Sequence, residues 1–560
     1  MRNLFLLFTL LFSFSTFAQS VFAPLTKEYN HLIDRQEILN GKLSNDVHTS
    51  FKPFSRENVY KQATASENDT VIDPSKVDKF NVEYLKDDNW EWADSNAQEG
   101  NSKRPIIKRF YKKKNAIMNV LIPEFELQAN PVFYGMGGKE RDGISTNYIN
   151  TRGVEVRGSI NKKVGFYSVM TTTQAYYPNY VRERIETPGN RAVPGEGYFK
   201  PYKLNGVDYF TGRGYFTFKF TKNIHFQFGQ DRNFIGNGHR SLILSDYSSP
   251  YLFAKIQTKI WKFNYTNLYA QMFYNTNIGK DTTYSRKYLT LHHLSLNIGK
   301  HLNIGLFESI VYTRQNNAID PNYLNPIIFY RYVETYMGSS DKVTLGLDYK
   351  LNFLKHLSLY GQIILNEFRI NELRKGNGWW GNKQAYQVGL KYINFAGVNN
   401  LDVQFEANLV RPYMYTSLDG TTNYSNYNQA LAHPNGANFV EFVGIMRCQP
   451  LKRFTITAKA ILTRIGLDDS TNNYGSNIFK PYETVVVNRP YGNFITQGVV
   501  TNIGYLEGNI SYMVRHNLFI DLTAMIREQI TDKNNPIYRR RTAFASFGIR
   551  YNFAARTHDF

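Results

Sequence analysis

Asp231, His239 and Ser241 are the residue types of a hydrolytic triad, and they stand together in Asp231-Arg232-Asn233-Phe234-Ile235-Gly236-Asn237-Gly238-His239-Arg240-Ser241. Acyl transfer by such a set needs base and nucleophile brought from separate elements to hydrogen-bonding distance. Neighbours on one extended stretch do not meet that need, so the spacing argues for a hydrogen-bonded loop and against catalysis. The sequence contains no P-loop, HExxH, paired CxxC or GxSxG. A non-enzymatic protein without cofactor or metal is the expectation.

Other polar clusters recur downstream. Asn325, Tyr330 and Arg331 lie in Asn325-Pro326-Ile327-Ile328-Phe329-Tyr330-Arg331, and Glu367 lies in Asn366-Glu367-Phe368. Arg411 and Tyr413 begin a stretch that continues through Tyr427 and Asn428 to His433-Pro434. With Asp231, Arg232, Asn233, His239, Arg240 and Asp246 these form the candidate site set. Flat Tyr rings and amide, carboxylate and guanidinium groups are what sugar hydroxyls need: faces to stack on and paired donors and acceptors. The same residues also suit a polar network that fixes inward loops, and the sequence leaves both readings open.

The elements that position these clusters are strands. Phe216, Phe218 and Phe220 alternate with Thr217, Lys219 and Thr221, and after Lys222-Asn223 a second arm follows with Ile224, Phe226 and Phe228. Side chains alternate along a strand, so each arm has one greasy and one wet face. Val343, Leu345, Leu347, Tyr349 and Leu351 likewise oppose Thr344, Gly346, Asp348, Lys350 and Asn352; Leu401, Val403, Phe405, Ala407 and Leu409 oppose Asp402, Gln404, Glu406 and Asn408. Short turns such as Gly299-Lys300-His301 contrast with long polar connections at 416–430 and 468–480. One short and one long side is the asymmetry of outer-membrane barrels.

Composition agrees. Arg2, the apolar run Leu4 to Phe14 and Ser15-Thr16-Phe17-Ala18 read as a signal peptide over residues 1–18. No later apolar run reaches the ~18 residues of a spanning helix. The 42% hydrophobic content and mean hydropathy of −0.43 suit a barrel whose strands are half polar, and the 41 Tyr and 40 Phe suit its aromatic girdles. The one cysteine, Cys448, excludes an internal disulfide and reads as a packed thiol. The net charge of +20 suits Lys and Arg that snorkel at strand ends and line the lumen; as partners it suits lipid phosphates, lipopolysaccharide or acidic surface polysaccharide, and not nucleic acid.

The expected organisation is a weakly helical periplasmic region at 19–65, a polar irregular segment or plug at 66–115, and a barrel at 116–560. An open sheet edge in hydrocarbon is too costly to persist, so the sheet must close. About 440 residues at roughly 22–28 per strand and loop predict an all-β transmembrane antiparallel barrel of about 16–18 strands in the outer membrane. The last strand, Phe547, Ile549, Tyr551 and Phe553 alternating with Ser546, Gly548, Arg550 and Asn552, ends in an aromatic residue. That ending resembles the signal read by the barrel insertion machinery, with Phe553 or Phe560 in the role.

Four stretches carry a family resemblance: Gly229 to Arg232 through Asp246, Asn325 to Arg331, Asn366 to Phe368, and Arg411-Pro412-Tyr413 through Asn428 to Pro434. On these the chain resembles the Wzi-type capsule assembly outer-membrane proteins and, more narrowly, their RemB-type relatives in gliding bacteria. The resemblance implies a plugged monomeric barrel of about 18 strands that binds or organises surface polysaccharide and, in gliding relatives, works with motility proteins. A porin-like or substrate-specific transport channel is the alternative.

Overall fold

The computed structural model describes residues 20–67, 74–93, 99–102, 110–141, 146–187, 192–274, 284–339, 341–367, 369–483, 489–531 and 538–560; the expected signal peptide lies outside them. Strand β1 is Phe125–Glu140, β2 Thr146–Ile160, β3 Val164–Tyr176, β4 Gly206–Thr221, β5 Ile224–Asp231 and β6 Tyr251–Ile260. Then come β7 Phe263–Tyr274, β8 Ser285–Ile298, β9 Leu302–Tyr312, β10 Lys342–Phe353, β11 Leu357–Glu367 and β12 Lys383–Tyr392. The series ends with β13 Leu401–Val410, β14 Phe439–Leu451, β15 Phe454–Leu467, β16 Val499–Arg515, β17 Leu518–Thr531 and β18 Arg539–Tyr551.

Each strand pairs antiparallel with the next, and β18 returns to β1 from Phe544 opposite Glu140 to Tyr551 opposite Phe133. Among the described residues this is a closed 18-stranded antiparallel barrel, at the upper end of the expected range. A short hairpin, Phe110–Lys113 with Ala116–Ile122, extends the sheet beside β1.

The two faces follow the alternation. Phe216, Leu306, Phe405, Phe442, Leu462 and Leu506 are exposed on the outside, while Lys350, Asp402, Glu406, Glu441 and Lys459 are buried on the inside. An apolar outer wall around a polar lumen is the arrangement lipid demands, and the protein is an outer-membrane barrel. Connections at one end are short, as at 222–223, 261–262, 299–301 and 516–517; those at the other are long, as at 177–205, 232–250, 313–341, 411–438 and 468–498.

The described helices before the barrel lie in its lumen, near the short-turn end. Helices α1 Lys27–Leu39, α2 Arg56–Glu67 and α3 Lys76–Asp88 pack on one another around Tyr29, Ile33, Val59 and Leu85. Where the sequence suggests an irregular segment, α3 is a helix opened by a capping box, Ser75 with Asp78. The weak amphipathic pattern of α1 has a physical cause. Its buried residues include Asp34, Arg35, Gln36 and Glu37, because the wall it faces is polar. Asp34 accepts from Lys391 Nζ at 2.5 Å, Glu37 pairs with Lys350 at 2.6 Å, and Arg35 pairs with Asp402.

Candidate functional site

The connection 232–250 turns inward after β5 and meets the helical plug. Phe234–Ile235 pairs with Phe51–Lys52 as a two-stranded antiparallel sheet inside the lumen. Behind it Ile235, Leu242, Ile243 and Leu244 join Met414, Tyr415 and Leu431 of the connection 411–438 in one buried apolar cluster. Two long connections thus fold into the barrel and share a small core there.

The tip of the first connection meets three carboxylates. Glu406 on β13 accepts the main-chain N–H of His239 at 2.7 Å and of Arg240 at 3.1 Å, and the Tyr360 hydroxyl at 2.9 Å. Glu441 on β14 pairs with Arg240 Nε at 3.2 Å and His433 Nε2 at 2.8 Å. Asp559, in the segment after β18, pairs with Arg240 Nη1 at 2.8 Å, Lys459 at 2.7 Å and His239 at 3.0 Å. A Cβ on Gly238 would stand 2.4 Å from Glu406 Oε2, so only glycine lets the loop approach this closely. Burial pushes the Asp559 carboxyl up, but Arg240 and Lys459 outweigh it and hold the group well below the usual range. Burial lowers both His239 and His433, favouring neutral imidazoles.

Ser241 is occupied by its own turn. Its hydroxyl donates to the Ile235 carbonyl at 2.5 Å and accepts from the N–H groups of Ile243 and Leu244 at 3.1 Å each. The triad types therefore hold a loop together.

Several other candidate residues belong to the same lumen network. Asp231 pairs with Arg213 at 3.4 Å; Arg232 donates to the carbonyls of Gly195 at 2.6 Å and Asp246 at 3.2 Å; Asp246 pairs with Lys27 of the plug at 3.4 Å. Asn233 accepts from Lys255 at 3.1 Å. Tyr427 and Asn428, with φ of 52° and 58°, form the turn of a small hairpin between Ser425–Asn426 and Gln429–Ala430.

Glu367, Arg411 and Tyr413 lie nearer the outer rim. Glu367 pairs with Lys342 and, at 3.3 Å, with Lys383. Arg411 donates to the Asn382 carbonyl at 2.7 Å, and the Tyr413 hydroxyl to that of Asn473 at 3.0 Å. Beside them the indole rings of Trp379 and Trp380 are 5.8 Å apart, and Tyr482 lies 4.8 Å from Trp380. Lys383 Nζ sits 3.6 Å from the Tyr482 ring centre, and the exposed Arg369 lies 4.7 Å over Trp379. Asn325, Tyr330 and Arg331 do not join this set. They lie on the outer wall, where Tyr330 and Arg331 donate their N–H groups to the outward-facing Glu308.

Sequence reasoning missed Glu441, Asp559 and the Trp379–Trp380 pair as site residues. Period-two alternation marks Glu441 as inward-facing between Val440 and Phe442, but no local signal places Asp559 in the lumen. Phe560, in the same segment, is buried near Tyr180 and Arg184, whereas Phe553 stacks on Tyr134 at the end of the barrel wall.

A cavity of about 550 Å³ remains between the plug and the wall, lined among others by His31, Arg213, Arg447, Asp521 and Arg550.

No family model matches the chain, and no curated protein matches it. Among solved structures it is similar to Wzi of Escherichia coli, described as an outer-membrane protein involved in group 1 capsule assembly and a carbohydrate-binding β-barrel. That match has a TM-score of 0.58 at 12% identity and covers 96% of this chain and 100% of the other. OprD of Pseudomonas aeruginosa matches with a TM-score of 0.41 at 9% identity, over 76% of this chain and 94% of its own. At these identities the likeness to Wzi is one of fold: this chain is an outer-membrane barrel of similar architecture.

Proposed function

We propose that the protein is a non-enzymatic barrel that binds and organises surface polysaccharide at its outer mouth. The observation that carries this reading is the rim cluster of Trp379, Trp380 and Tyr482 with Lys342, Lys383 and Arg369. Aromatic faces stack on the C–H faces of sugar rings, and adjoining cations suit uronate or phosphate substituents. Lys342 and Lys383 are buried against Glu367, so the cation that the cluster presents to a ligand is the exposed Arg369 over Trp379. The fold likeness to a carbohydrate-binding barrel supports the reading, and so does the commitment of His239 and Ser241 to structural bonds.

The test is a binding isotherm between the purified barrel and the producing organism's own surface polysaccharide, paired with a deletion strain scored for capsule and for surface spreading. The spreading arm addresses a motility role. Failure to bind together with an unchanged surface phenotype would defeat the proposal.

One observation favours a second reading, a transport channel: the cavity between plug and wall, which Arg213, Arg447, Asp521 and Arg550 help to line. Planar-bilayer recording separates the two. A steady open conductance supports transport, and silence supports a sealed scaffold.

A further inference from the structure

Outer-wall positions of a membrane barrel should be apolar, and β7, β8 and β9 depart from that. Asn267, His292 and Glu308 stand in one row across these strands, paired Asn267 with His292 and His292 with Glu308. Their strand neighbours Leu268, Leu291, Ser309 and His293 face the lumen, so the row faces outward. Yet the three are only 2%, 7% and 6% exposed.

The connection 313–341 covers them. It leaves β9 at the long-loop end and folds down the outside of the wall, carrying a 3-10 turn at Pro321–Leu324 and helix α4 at Tyr330–Met337. Its base is clamped by Arg314, which pairs with Asp320 at 2.8 Å and Asp341 at 2.7 Å. Tyr288, Ile310, Tyr312 and Val343 of the wall pack against Tyr323, Tyr330 and Val333 of the connection. The Tyr330 hydroxyl bonds His292, and Glu308 caps the first N–H groups of α4 at 2.9 Å each.

Depth follows from the strand. With a rise of about 3.4 Å per residue and a tilt of about 40°, a residue gains roughly 2.6 Å of height. Glu308 is six positions beyond Leu302 on β9, which places it roughly 15 Å above the short-turn end, within an apolar band about 25 Å tall. The far side of the connection is rich in large apolar and aromatic side chains: Ile327 is 82% exposed, Phe329 75%, Tyr332 64% and Tyr336 81%, and the exposed Arg331 among them is paired with Glu334 at 2.7 Å.

We propose that the connection 313–341 is a wedge embedded in the outer leaflet, its exposed face solvated by lipid acyl chains. Two observations favour lipid over a protein partner. The face continues the lipid-facing wall directly below it, where Leu294 and Leu306 are exposed. Backbone groups that hydrocarbon would not satisfy are met locally: from the wall Tyr269 donates to the Leu324 carbonyl at 3.1 Å and Tyr265 to that of Pro326, and within the connection Asn325 Oδ1 accepts the Ile327 N–H at 3.1 Å. Irregular backbone persists at membrane depth only when its polar groups are met in this way. The wedge in turn keeps the Asn267–His292–Glu308 row out of hydrocarbon.

The test uses the full chain with Cys448→Ser and a single nitroxide-labelled cysteine at Tyr332→Cys, Tyr336→Cys or Ile327→Cys, reconstituted in lipid bilayers. Leu306→Cys is the lipid reference and Tyr491→Cys the loop reference. Heat-modifiable migration shows which variants have assembled, and the three positions guard against one failing to fold. The wedge predicts an oxygen-to-nickel-complex collision ratio matching Leu306 and severalfold above Tyr491. A ratio matching Tyr491 would overturn it, as would protection from both colliders, which would instead indicate a protein partner.

Discussion

Arg240 and Asp559 meet at 2.8 Å across 319 residues of chain. One is carried into the lumen by a connection from the long-loop end, and the other by the segment that follows the last strand. Their contact joins elements that enter the barrel from its two ends. Removing one partner of a buried pair strands the other charge, at about 3–5 kcal/mol. Asp559→Ala leaves Arg240, His239 and Lys459 without that carboxylate. The strand ladder does not depend on it, so the loss should appear as local opening. Hydrogen exchange should rise at 232–245 while the barrel keeps its heat-modifiable migration. A double replacement, Arg240→Met with Asp559→Leu, should restore little of the protection, because it takes Arg240 from the buried Glu441 and leaves Lys459 with Glu507 as its carboxylate partner.

Gly238→Ala probes the same site from the backbone. The new methyl would stand 2.4 Å from Glu406 Oε2, forcing the loop off its acceptor. The two N–H bonds to Glu406 would lengthen together. A cost of about 1–3 kcal/mol is expected for buried groups left unpaired, read as faster exchange of the His239 and Arg240 amides. Gly299→Ala is a control for the chain at large, since nothing lies within 4 Å of a Cβ there, although its φ of 65° adds some strain.

The strands were legible because lipid imposes a period of two. Leu345 and Leu347 against Asp348 and Lys350 mark an outer and an inner face in the sequence itself. The plug was less legible for the converse reason. A helix against a polar wall buries Asp34 and Glu37, so its pattern does not look amphipathic. Within the candidate site, His239 and Arg240 stood out locally, but their partners Glu441 and Asp559 lie hundreds of residues away. Asn325, Tyr330 and Arg331 read as one more polar cluster, and only the tertiary fold sends them to the outer wall, onto Glu308.

Acid should loosen the plug. Burial lowers His31 to about 4, reinforced by Arg447 and opposed by the Asp402 bond, and burial also lowers His558 to about 4. An unfolded histidine titrates near 6.5. Between about pH 6.5 and 4 the released form binds protons that the packed form does not, so stability falls as pH falls through that window. Each shift corresponds to roughly 3 kcal/mol. Asp34, which Lys391 and Lys350 hold below the usual carboxylate range against the effect of burial, extends the loss to lower pH. In planar bilayers, openings should be absent at pH 7.5 and grow in frequency from pH 6.5 to 4.5. His31→Gln and His558→Gln should flatten that profile.

Trp379 and Trp380 should differ in what they do for glycan binding. Trp380 is buried against Tyr482 and Lys383, so its removal collapses the cluster and disturbs the rim itself. Trp379 is half-buried under the exposed Arg369 and keeps ring surface for a ligand. Trp379→Ala should therefore weaken polysaccharide binding about tenfold, the equivalent of about 1.4 kcal/mol, with no change in assembly. Arg369→Ala should weaken it less, and its effect should fade as salt rises, because exposed charges are screened beyond about 10 Å at 0.1 M. Isotherms at two ionic strengths measure both effects. Unchanged affinity in both variants would move the binding surface away from this rim, whereas a loss that persists undiminished in high salt for Arg369→Ala would mean that the guanidinium packs on the ring and acts chiefly by shaping it.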